Sequence, residues 1–368
     1  MADLQFDNFV IAALTCSVPS HVQKIDIEGD TTGYAKTFVK QTGVTQRHIS
    51  ITEQTCLDLG YAASLNALEK TGWPKESIDA VIFMSQTPDY NPGTGNGCLL
   101  QYRLGLPATT LAFDITLGCS SFPYGLSVCG AFLQQKGISR VLMVSGDTLW
   151  CSYASARELL AANTFLEGEA CTAILFEKKE NSTPITISLH SDGSGYKYLF
   201  HPYGGTRNGW RHSSPVILPN GETYSSGKVY MDGMEITSFA TTTVVESIKN
   251  YLQRSGKHIQ SYDGLVLHQA NKQIVKTIAK RLGVPMEKVP TSMELYGNTS
   301  GTSTTLTMAH AYAGSEKESL SLLACSFGIG LSWGIADFSI APSAIDCIRT
   351  CEGNQFEEGF VRPVIAAQ

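Results

Sequence analysis

The sequence predicts an α/β protein in which helices cover parallel β-sheets and the chain is built from two related halves. Short apolar runs alternate with helical patterns, which is typical of parallel sheets with helices on their faces. An internal duplication relates the first half of the chain to the second. The 368 residues, 43% hydrophobic and 16% charged, are enough to form a large buried core.

Eight apolar runs predict buried strands, and five longer segments predict helices between them. The strands are expected at residues 9–14, 80–84, 111–115, 141–145, 171–176, 264–267, 321–325 and 334–340. The helices are expected at residues 56–70, 98–104, 121–135, 238–253 and 271–282. The alternation of the two patterns supports βαβ units.

The duplication appears as three pairs of matching segments in the same order. They are SIDAVIF (77–83) and SYDGLVL (261–267), RLGLP (103–107) and RLGVP (281–285), and DITLGC (114–119) and MELYGN (293–298). The third pair predicts a strand and a turn that opens a helix. Chance likeness of two generic βαβ units is the alternative. If the halves pack about a pseudo-twofold axis, Cys119 and Asn298 occupy matching positions and face one pocket.

Composition and charge exclude several classes of function. The formal charge is −6 and no Lys/Arg run occurs, so nucleic acid is not an expected partner. The N-terminus shows no secretory signal, and no run of about 18 apolar residues predicts a membrane span. The ten Cys form no CxxC pair and no zinc-like spacing, so no metal site is expected. We therefore expect a reduced, cytoplasmic protein.

Cys119 is the strongest candidate for chemistry, in the segment DITLGCSSF at residues 114–122. A buried strand runs into a glycine turn and a helix follows, so the thiol sits on a sharp elbow. Backbone N–H groups and the positive end of a helix lower a thiol pKa and can stabilise an oxyanion. A buried cysteine that simply begins a helix is the alternative. The context favours a nucleophile.

His268 and Asn298 are the expected partners of the nucleophile. His268 follows the strand at residues 264–267, at the strand end where α/β folds place ligands. Asn298 lies in YGNTSGTS (296–303), where a capping role alone would explain it. Its correspondence to Cys119 argues that the amide donates into the pocket. A satisfied core histidine is the alternative for His268.

The glycine-rich turn GIGLSWG at residues 328–334 is expected beside the same pocket. It lacks the Lys and Ser/Thr of a P-loop, so a phosphate site is not predicted. We interpret Gly328 and Gly330 as positions of close backbone approach that supply an N–H to an acyl oxygen.

Seven segments carry a resemblance to a known family: TGVTQRH (42–48), DITLGC (114–119), HSDG (190–193), MDGME (231–235), HQAN (268–271), GNTS (297–300) and GIGLSWG (328–334). Together they resemble the β-ketoacyl-acyl-carrier-protein synthase III family, from about residue 9 to residue 340. The resemblance implies a five-layered αβαβα thiolase fold, usually homodimeric. It divides the chain into an N-terminal half (1–178) with Cys119, a C-terminal half (179–340) with His268 and Asn298, and a C-terminal extension (341–368).

The resemblance also implies an acyltransferase of fatty-acid or polyketide biosynthesis. Cys119 would accept an acyl group from acyl-CoA or an acyl-carrier protein. His268 and Asn298 would then bind the thioester carbonyl of malonyl-acyl-carrier protein during decarboxylation, with Asn271 and Ser300 as substrate-binding residues. No cofactor is implied, because the substrates themselves carry coenzyme A or phosphopantetheine. Loss of CO₂ leaves an enolate, which two neutral donors can stabilise.

The sequence departs from the family pattern at three places. Where coenzyme A-using members show Trp and Arg, this chain has Thr37 and Gln41, although Tyr34, Phe38 or Trp210 could supply a ring. The segment EGEAC (167–171) replaces a glycine-rich one. Residues 341–368 extend past the usual end, and their Pro, charge and Cys content predicts an irregular surface segment. The acyl starter and a housekeeping role are thereby left open.

Two other functions remain compatible with these residues. One is acyl transfer to an oxygen or nitrogen acceptor on the same fold. The other is a non-catalytic partner subunit of a heterodimeric synthase, although such subunits usually lose the nucleophile or the histidine. A degradative thiolase is disfavoured, because it needs a second Cys where our alignment places Ser326; Cys325, one position away on the strand, faces the opposite side.

Overall fold

The computed structural model describes residues 3–50, 54–90, 93–148, 165–202, 206, 215–217, 221, 223–224, 229–353 and 356. Its strands are β1 Asp3–Phe6, β2 Phe9–Pro19, β3 Val22–Lys24, β4 Gln46–His48, β5 Ala80–Met84, β6 Leu111–Ile115, β7 Arg140–Asp147, β8 Ala170–Lys178, β9 Ile185–Ser191, β10 Leu199–Phe200, β11 Val216–Ile217, β12 Thr223–Tyr224, β13 Tyr230–Met231, β14 Gly264–Leu267, β15 Leu320–Gly328, β16 Ser332–Ile340 and β17 Ile345–Cys351.

The helices connect and cover these strands. The α-helices are α1 Tyr34–Thr42, α2 Cys56–Thr71, α3 Asn96–Leu104, α4 Ser121–Leu133, α5 Gly233–Thr241, α6 Thr243–Ser255, α7 Lys272–Leu282, α8 Met293–Tyr296 and α9 Ser303–Tyr312. Short 3₁₀ helices occur at Lys75–Ser77, Gly193–Tyr198, Ile259–Ser261, Met286–Lys288, Ser300–Thr302 and Pro342–Ala344. In the described part of the chain, no helix is long and apolar enough to cross a bilayer.

Two larger sheets form the framework, and both are mixed. The first has the order β17-β2-β8-β7-β5-β6, and the second has the order β1-β9-β16-β15-β14. β5 pairs in parallel with β6 and β7, and β14 pairs in parallel with β15. In contrast, β8 runs antiparallel to β2 and β7, and β16 runs antiparallel to β15 and β9. The expectation of parallel sheets is therefore wrong for β8 and β16. For β16 the reason is the short turn at residues 329–331, which joins it to β15 and leaves no room for a crossover helix.

Helices and sheets alternate in five layers. The α4 and α9 helices lie between the sheets, in a core shared by residues such as Phe122, Leu306 and Phe338. The α2 and α3 helices cover the outer face of the first sheet, and α5 to α7 cover the outer face of the second. Each sheet thus buries both faces, which explains the nearly continuous apolar runs in the sequence.

The first and last strands each pair with a sheet that belongs mainly to the other half of the chain. β1, at the N-terminus, pairs with β9 in the second sheet. β17, in the C-terminal extension, pairs in parallel with β2 in the first sheet. The expectation of an irregular extension is therefore wrong for residues Ile345–Cys351. The predicted division at residue 178 coincides with the end of β8 and stays a prediction.

Other differences concern local structure. The single helix expected at residues 238–253 is two helices, α5 and α6, that meet at Thr242. The strand expected before Asn298 is the short helix α8. β9 was not predicted, because its TIS alternation at residues 186–188 looks polar.

A buried ion pair between α2 and α3 gives a prediction about stability. Arg103 Nη1 lies 2.8 Å from Asp58 Oδ1, and both side chains are 4% exposed. Asp58 also accepts the Thr55 N–H at the start of α2. Replacing Arg103 with Met leaves a buried unpaired carboxylate, so we expect the free energy of unfolding to fall by about 3–5 kcal/mol. Urea unfolding followed by circular dichroism measures this change.

Arg349→Met is the matched control for that prediction. Arg349 pairs with Glu69 and Asp346 at the surface. Exposed pairs are screened by water, so we expect a loss of less than about 1 kcal/mol. Equal losses from the two substitutions would show that the buried pair carries no special cost when broken.

Candidate active site

Cys119 lies between the end of β6 and the start of α4, one residue before the N-cap Ser120. Gly328, at the end of β15, packs directly against it. A Cβ at Gly328 would lie 2.5 Å from the Cys119 Cβ and 2.8 Å from its Sγ. Any side chain there would displace the thiol, so glycine is required for this approach of backbone to nucleophile.

The electrostatics of Cys119 differ from the expectation. Burial raises the pKa of the Cys119 thiol to about 11, and the nearby Asp147 carboxylate acts in the same direction. The Ile329 N–H and the Ser300 hydroxyl approach the sulfur and lower the pKa, but less strongly. The direction expected for the thiol pKa is therefore wrong, because the desolvation of the sulfur outweighs its hydrogen bonds.

His268 follows β14 and is almost fully buried. Its Nδ1 lies 2.6 Å from Ser303 Oγ at the start of α9. The Phe327 ring packs edge-on against the imidazole at 5.3 Å between centroids. Burial lowers the pKa of His268 to about 4, so the ring is neutral at physiological pH.

Asn298 is fixed by its neighbours on both sides. Its N–H donates to Leu166 O at 2.8 Å, and its carbonyl accepts the Gly168 N–H at 3.0 Å. Its side-chain Oδ1 accepts the Ser300 N–H at 3.0 Å. Because the oxygen is engaged within the turn, the amide Nδ2 is the atom left to donate elsewhere.

The turns that carry Cys119 and Asn298 meet. A Cβ at Gly301 would lie 2.8 Å from Ser121 Oγ and 3.0 Å from Gly118 O. The Ser300 hydroxyl approaches the Cys119 sulfur. The two halves therefore bring equivalent turns together, as the duplication predicts, with Ser300 between Asn298 and Cys119.

The glycine-rich turn after β15 completes the wall beside Cys119. Ser120 Oγ and Ser332 Oγ are 2.6 Å apart, which ties this turn to the nucleophile turn. Gly330 has φ +139°, where a side chain would be strained. The backbone N–H groups of Ile329 and of Cys119 itself approach the thiol, and the backbone role assigned to Gly328 and Gly330 stays a prediction.

Asn271 has a structural role that accounts for it. It is the N-cap of α7, and its side chain accepts the Ile274 N–H at 2.8 Å. The substrate-binding role assigned to Asn271 stays a prediction, as does that of Ser300. Among the described residues, no three His, Cys, Asp or Glu side chains are grouped as metal ligands.

Sequence reasoning missed Asp147 and Ser303. Asp147 ends β7, the strand beside β5, and is 8% exposed. The run of apolar residues before it gave the signal, because a polar residue at the carboxyl end of a central strand points to a ligand site. Ser303 was visible in the GNTSGTS segment but had no assigned partner until the fold placed it against His268.

The comparisons with known proteins agree with this geometry. Models of the 3-oxoacyl-[acyl-carrier-protein] synthase III family match residues 113–193, and of its C-terminal part residues 252–340. The β-ketoacyl-[acyl-carrier-protein] synthase III of Thermosynechococcus vestitus is 32% identical over 304 residues, which cover 81% of this chain and 88% of that protein. The Xanthomonas campestris enzyme of the same name is 33% identical over 304 residues, covering 80% and 87%. This chain belongs to the β-ketoacyl-acyl-carrier-protein synthase III family.

The structure agrees with the family assignment. A 3-oxoacyl-(acyl-carrier protein) synthase of Burkholderia xenovorans superposes with a TM-score of 0.87 at 30% identity, covering 95% of this chain and 99% of that one. The fold of this synthase III-family chain is the thiolase fold. Its atypical segment at residues 167–171 lies beside Asn298, and the buried Glu169 accepts the Ser50 N–H at 2.5 Å.

Proposed function

We propose that this chain is a condensing enzyme that carries an acyl group on Cys119 and extends it by decarboxylative Claisen condensation with a malonyl thioester. The observation that carries the proposal is the meeting of the two turns at Cys119. One turn presents a thiol against the glycine-rich backbone, and the other presents Asn298 and Ser300. His268 follows β14, which pairs with β15, the strand that ends at Gly328 beside Cys119.

The first half-reaction is acyl transfer. The Cys119 sulfur attacks the carbonyl carbon of a thioester, and the donor thiolate leaves with the proton that the thiol loses. The backbone N–H groups of Ile329 and of Cys119 itself approach the sulfur and can donate to the oxygen of the tetrahedral intermediate. The product is another thioester, which stays reactive toward a carbon nucleophile.

The second half-reaction uses His268 and Asn298. Loss of CO₂ from the malonyl thioester places negative charge on the thioester oxygen, and the enolate carbon then attacks acyl-Cys119. The Gln269 N–H donates to Ser303 Oγ at 3.3 Å, so Ser303 can donate its own proton to His268 Nδ1. That arrangement leaves the histidine proton on Nε2. The His268 Nε2–H and the Asn298 side-chain N–H₂ can then both donate to the thioester oxygen of the enolate.

A carrier protein is the proposed donor of the malonyl group. Basic side chains at Lys36 and Lys40 of α1 and at Lys276 and Lys280 of α7 are exposed, and α1 ends at Gly43 against Lys272. This face suits a negatively charged carrier, whose binding should weaken with added salt. The chemistry needs no metal or organic cofactor, and a cytoplasmic location is part of the proposal.

A homodimer is also proposed, through the edge strand β6. β5 beside it is fully buried, whereas every residue of β6 is partly or largely exposed, with Leu111 at 46%. Such an edge presents unpaired backbone groups that a second copy can cover. Light scattering on a size-exclusion column should give twice the mass of the 39.8 kDa chain.

The test is the product of the complete reaction. The enzyme, first loaded with an acyl group, is mixed with a malonyl-carrier protein, and CO₂ and the carrier-bound product are measured together. We expect one CO₂ released for each β-ketoacyl thioester formed. Acyl transfer to an oxygen or nitrogen acceptor without CO₂ would support the alternative function, and no acyl mass on Cys119 from any donor would support a non-catalytic partner subunit.

The choice of starter gives a further prediction. Thr37 is exposed, has no ring to stack on adenine, and donates its hydroxyl to Gly33 O. Gln41 is also exposed and carries no positive charge for a phosphate of coenzyme A. Without an aromatic ring stacked on the adenine, the binding of coenzyme A donors loses roughly 1–3 kcal/mol, or about 5–150-fold in affinity. We expect acetyl-CoA to be a poorer donor to Cys119 than longer or carrier-bound acyl groups, measured by intact-protein mass spectrometry.

Tyr34 is the internal control for the starter prediction. Its ring is 48% exposed and stacks on Phe38 at 6.1 Å between centroids, whereas Trp210 lies outside the described residues. If this ring replaces the missing one, Tyr34→Ala should raise the Michaelis constant for acyl-CoA and leave that for acyl-carrier protein unchanged. Acetyl-CoA as the best donor, with a micromolar Michaelis constant, would contradict the prediction.

A further inference from the structure

The Cys119 thiol has no assigned proton acceptor, and the structure offers one at Asp147. The thiolate is the attacking species, so acyl transfer requires the proton of the Cys119 thiol to leave. His268, the usual kind of base, is committed through Nδ1 to Ser303 and is proposed to act on the second substrate. The neighbouring groups that remain are Asp147 and Ser300.

Asp147 is a buried carboxylate with one oxygen engaged and one free. Its Oδ1 accepts the Gln86 N–H at 2.7 Å and the Ser85 hydroxyl at 3.1 Å. Its Oδ2 is buried, and none of the residues that the structure describes forms a hydrogen bond of normal length with it. An unpaired buried carboxylate oxygen is costly to the fold and is a mark of function.

The free oxygen belongs to the nucleophile pocket. Gln86, whose backbone N–H donates to Asp147, packs its side chain against Gly118, the residue before Cys119. The Ser300 hydroxyl and the Gly301 N–H approach the carboxylate from the other turn. The same Ser300 hydroxyl approaches the Cys119 sulfur, so it lies between thiol and carboxylate. Ser300 is held there with φ +50° by its bond to Asn298.

We infer that Asp147 accepts the Cys119 thiol proton through the Ser300 hydroxyl during acyl transfer and returns it to the departing thiolate of the donor. This inference rests on the proposed function. The S–H bond of Cys119 breaks as its proton passes to Ser300 Oγ, while the Ser300 proton passes to Asp147 Oδ2. The sulfur attacks the thioester, the donor C–S bond breaks, and the reverse transfer protonates the donor sulfur.

The transfer leaves the net charge of the pair unchanged. Thiolate and carboxylate so close would repel each other, whereas one proton shared between them leaves a single negative charge. Burial raises the pKa of Asp147, which brings it nearer to that of a useful base. Among the described residues, the Asp147 carboxylate acts on the thiols of Cys119, Cys56 on α2 and Cys171 on β8, and burial raises the pKa of each of these thiols.

The test separates the two half-reactions in Asp147→Asn and Ser300→Ala. We expect each substitution to slow acylation of Cys119 by about 10²-fold or more at pH 7, the scale of losing a general base. The deficit should narrow to below about threefold near pH 10, where hydroxide forms the thiolate without the relay. The double variant should be no slower than either single variant, because both act on one proton. Condensation by the pre-acylated Asp147→Asn enzyme should change by less than about threefold.

Asp337→Asn is the matched control, since Asp337 is a buried carboxylate in the second sheet that accepts from Tyr251 and Tyr262. It should acylate at the wild-type rate once folded. Wild-type acylation by Asp147→Asn, or by Ser300→Ala if the first variant does not fold, would overturn the relay. If the loss of acylation rate is the same at pH 7 and pH 10, Asp147 and Ser300 have a structural role instead of a role in proton transfer. If these variants acylate a residue other than Cys119, the proposed function fails rather than the relay.

Discussion

Replacing Cys119 with Ala should abolish the acyl-enzyme. Intact-protein mass spectrometry after incubation with an acyl donor should show the acyl mass on the wild-type chain and none on the variant. The reason is that a thioester intermediate needs a sulfur at this elbow, and the methyl group of Ala offers no nucleophile. Gly328 packs against the Cys119 Cβ and Sγ, so the smaller side chain fits without a clash. We expect the variant to fold.

Two other cysteines make this test specific. Cys98 is exposed, so Cys98→Ala tests whether an accessible thiol takes up acyl groups without catalysis. Cys325 is fully buried on β15, and Cys325→Ala tests whether it acts as the second cysteine of a degradative thiolase. Both variants should acquire the acyl mass at the wild-type rate. Persistence of that mass in Cys119→Ala would disprove the assignment of the nucleophile.

The pattern of apolar residues predicted much of the fold. The bounds expected at residues 80–84, 111–115 and 264–267 agree with those of β5, β6 and β14. β5 and β14 are buried on both faces, and β6 lies beside β5. Each of them is therefore a short apolar run in the sequence, and turn residues mark where the run begins and ends. The direction of β8 and β16 could not be read in the same way, because an apolar run carries no record of which neighbour it will pair with.

The C-terminal strand shows a second limit. β17 has the sequence IDCIRTC, in which Asp346, Arg349 and Thr350 interrupt the apolar residues. It is an edge strand, so only one side is paired, and its polar residues can face solvent or form the ion pairs of Arg349. Such a strand has no continuous apolar run, and the sequence alone therefore predicted an irregular segment.

For the candidate site, the duplication predicted what composition could not. It placed Cys119 and Asn298 on equivalent turns, and the structure brings those turns into contact at Gly301 and Gly118. The direction of the thiol pKa was not predictable, because desolvation depends on groups distant in sequence. Asp147, 28 residues after Cys119 and 153 before Ser300, was missed for the same reason.

Replacing His268 or Asn298 with Ala should slow condensation by about 10²-fold or more, the scale of losing one oxyanion donor. Acylation of Cys119 should change far less, because neither side chain is needed for the attack on the donor. Asn298→Asp is the sharper variant: it keeps the oxygen that accepts the Ser300 N–H but replaces the donating amide with an acceptor. His258→Ala, on the exposed surface, is the control histidine and should leave both half-reactions unchanged.

The pH dependence of condensation tests the same residues from another direction. Burial lowers the pKa of His268 to about 4, so the ring stays neutral as pH falls from 8 to 5 and gains a proton only near pH 4. A neutral imidazole with Ser303 on Nδ1 donates through Nε2 across that whole range. Pre-acylated wild-type enzyme should therefore show no acid limb near pH 6.5, the ordinary value for histidine. An acid limb near pH 6.5 that disappears in His268→Ala, or equal loss of acylation and condensation in that variant, would mean that His268 serves Cys119 as a base instead of binding the second substrate.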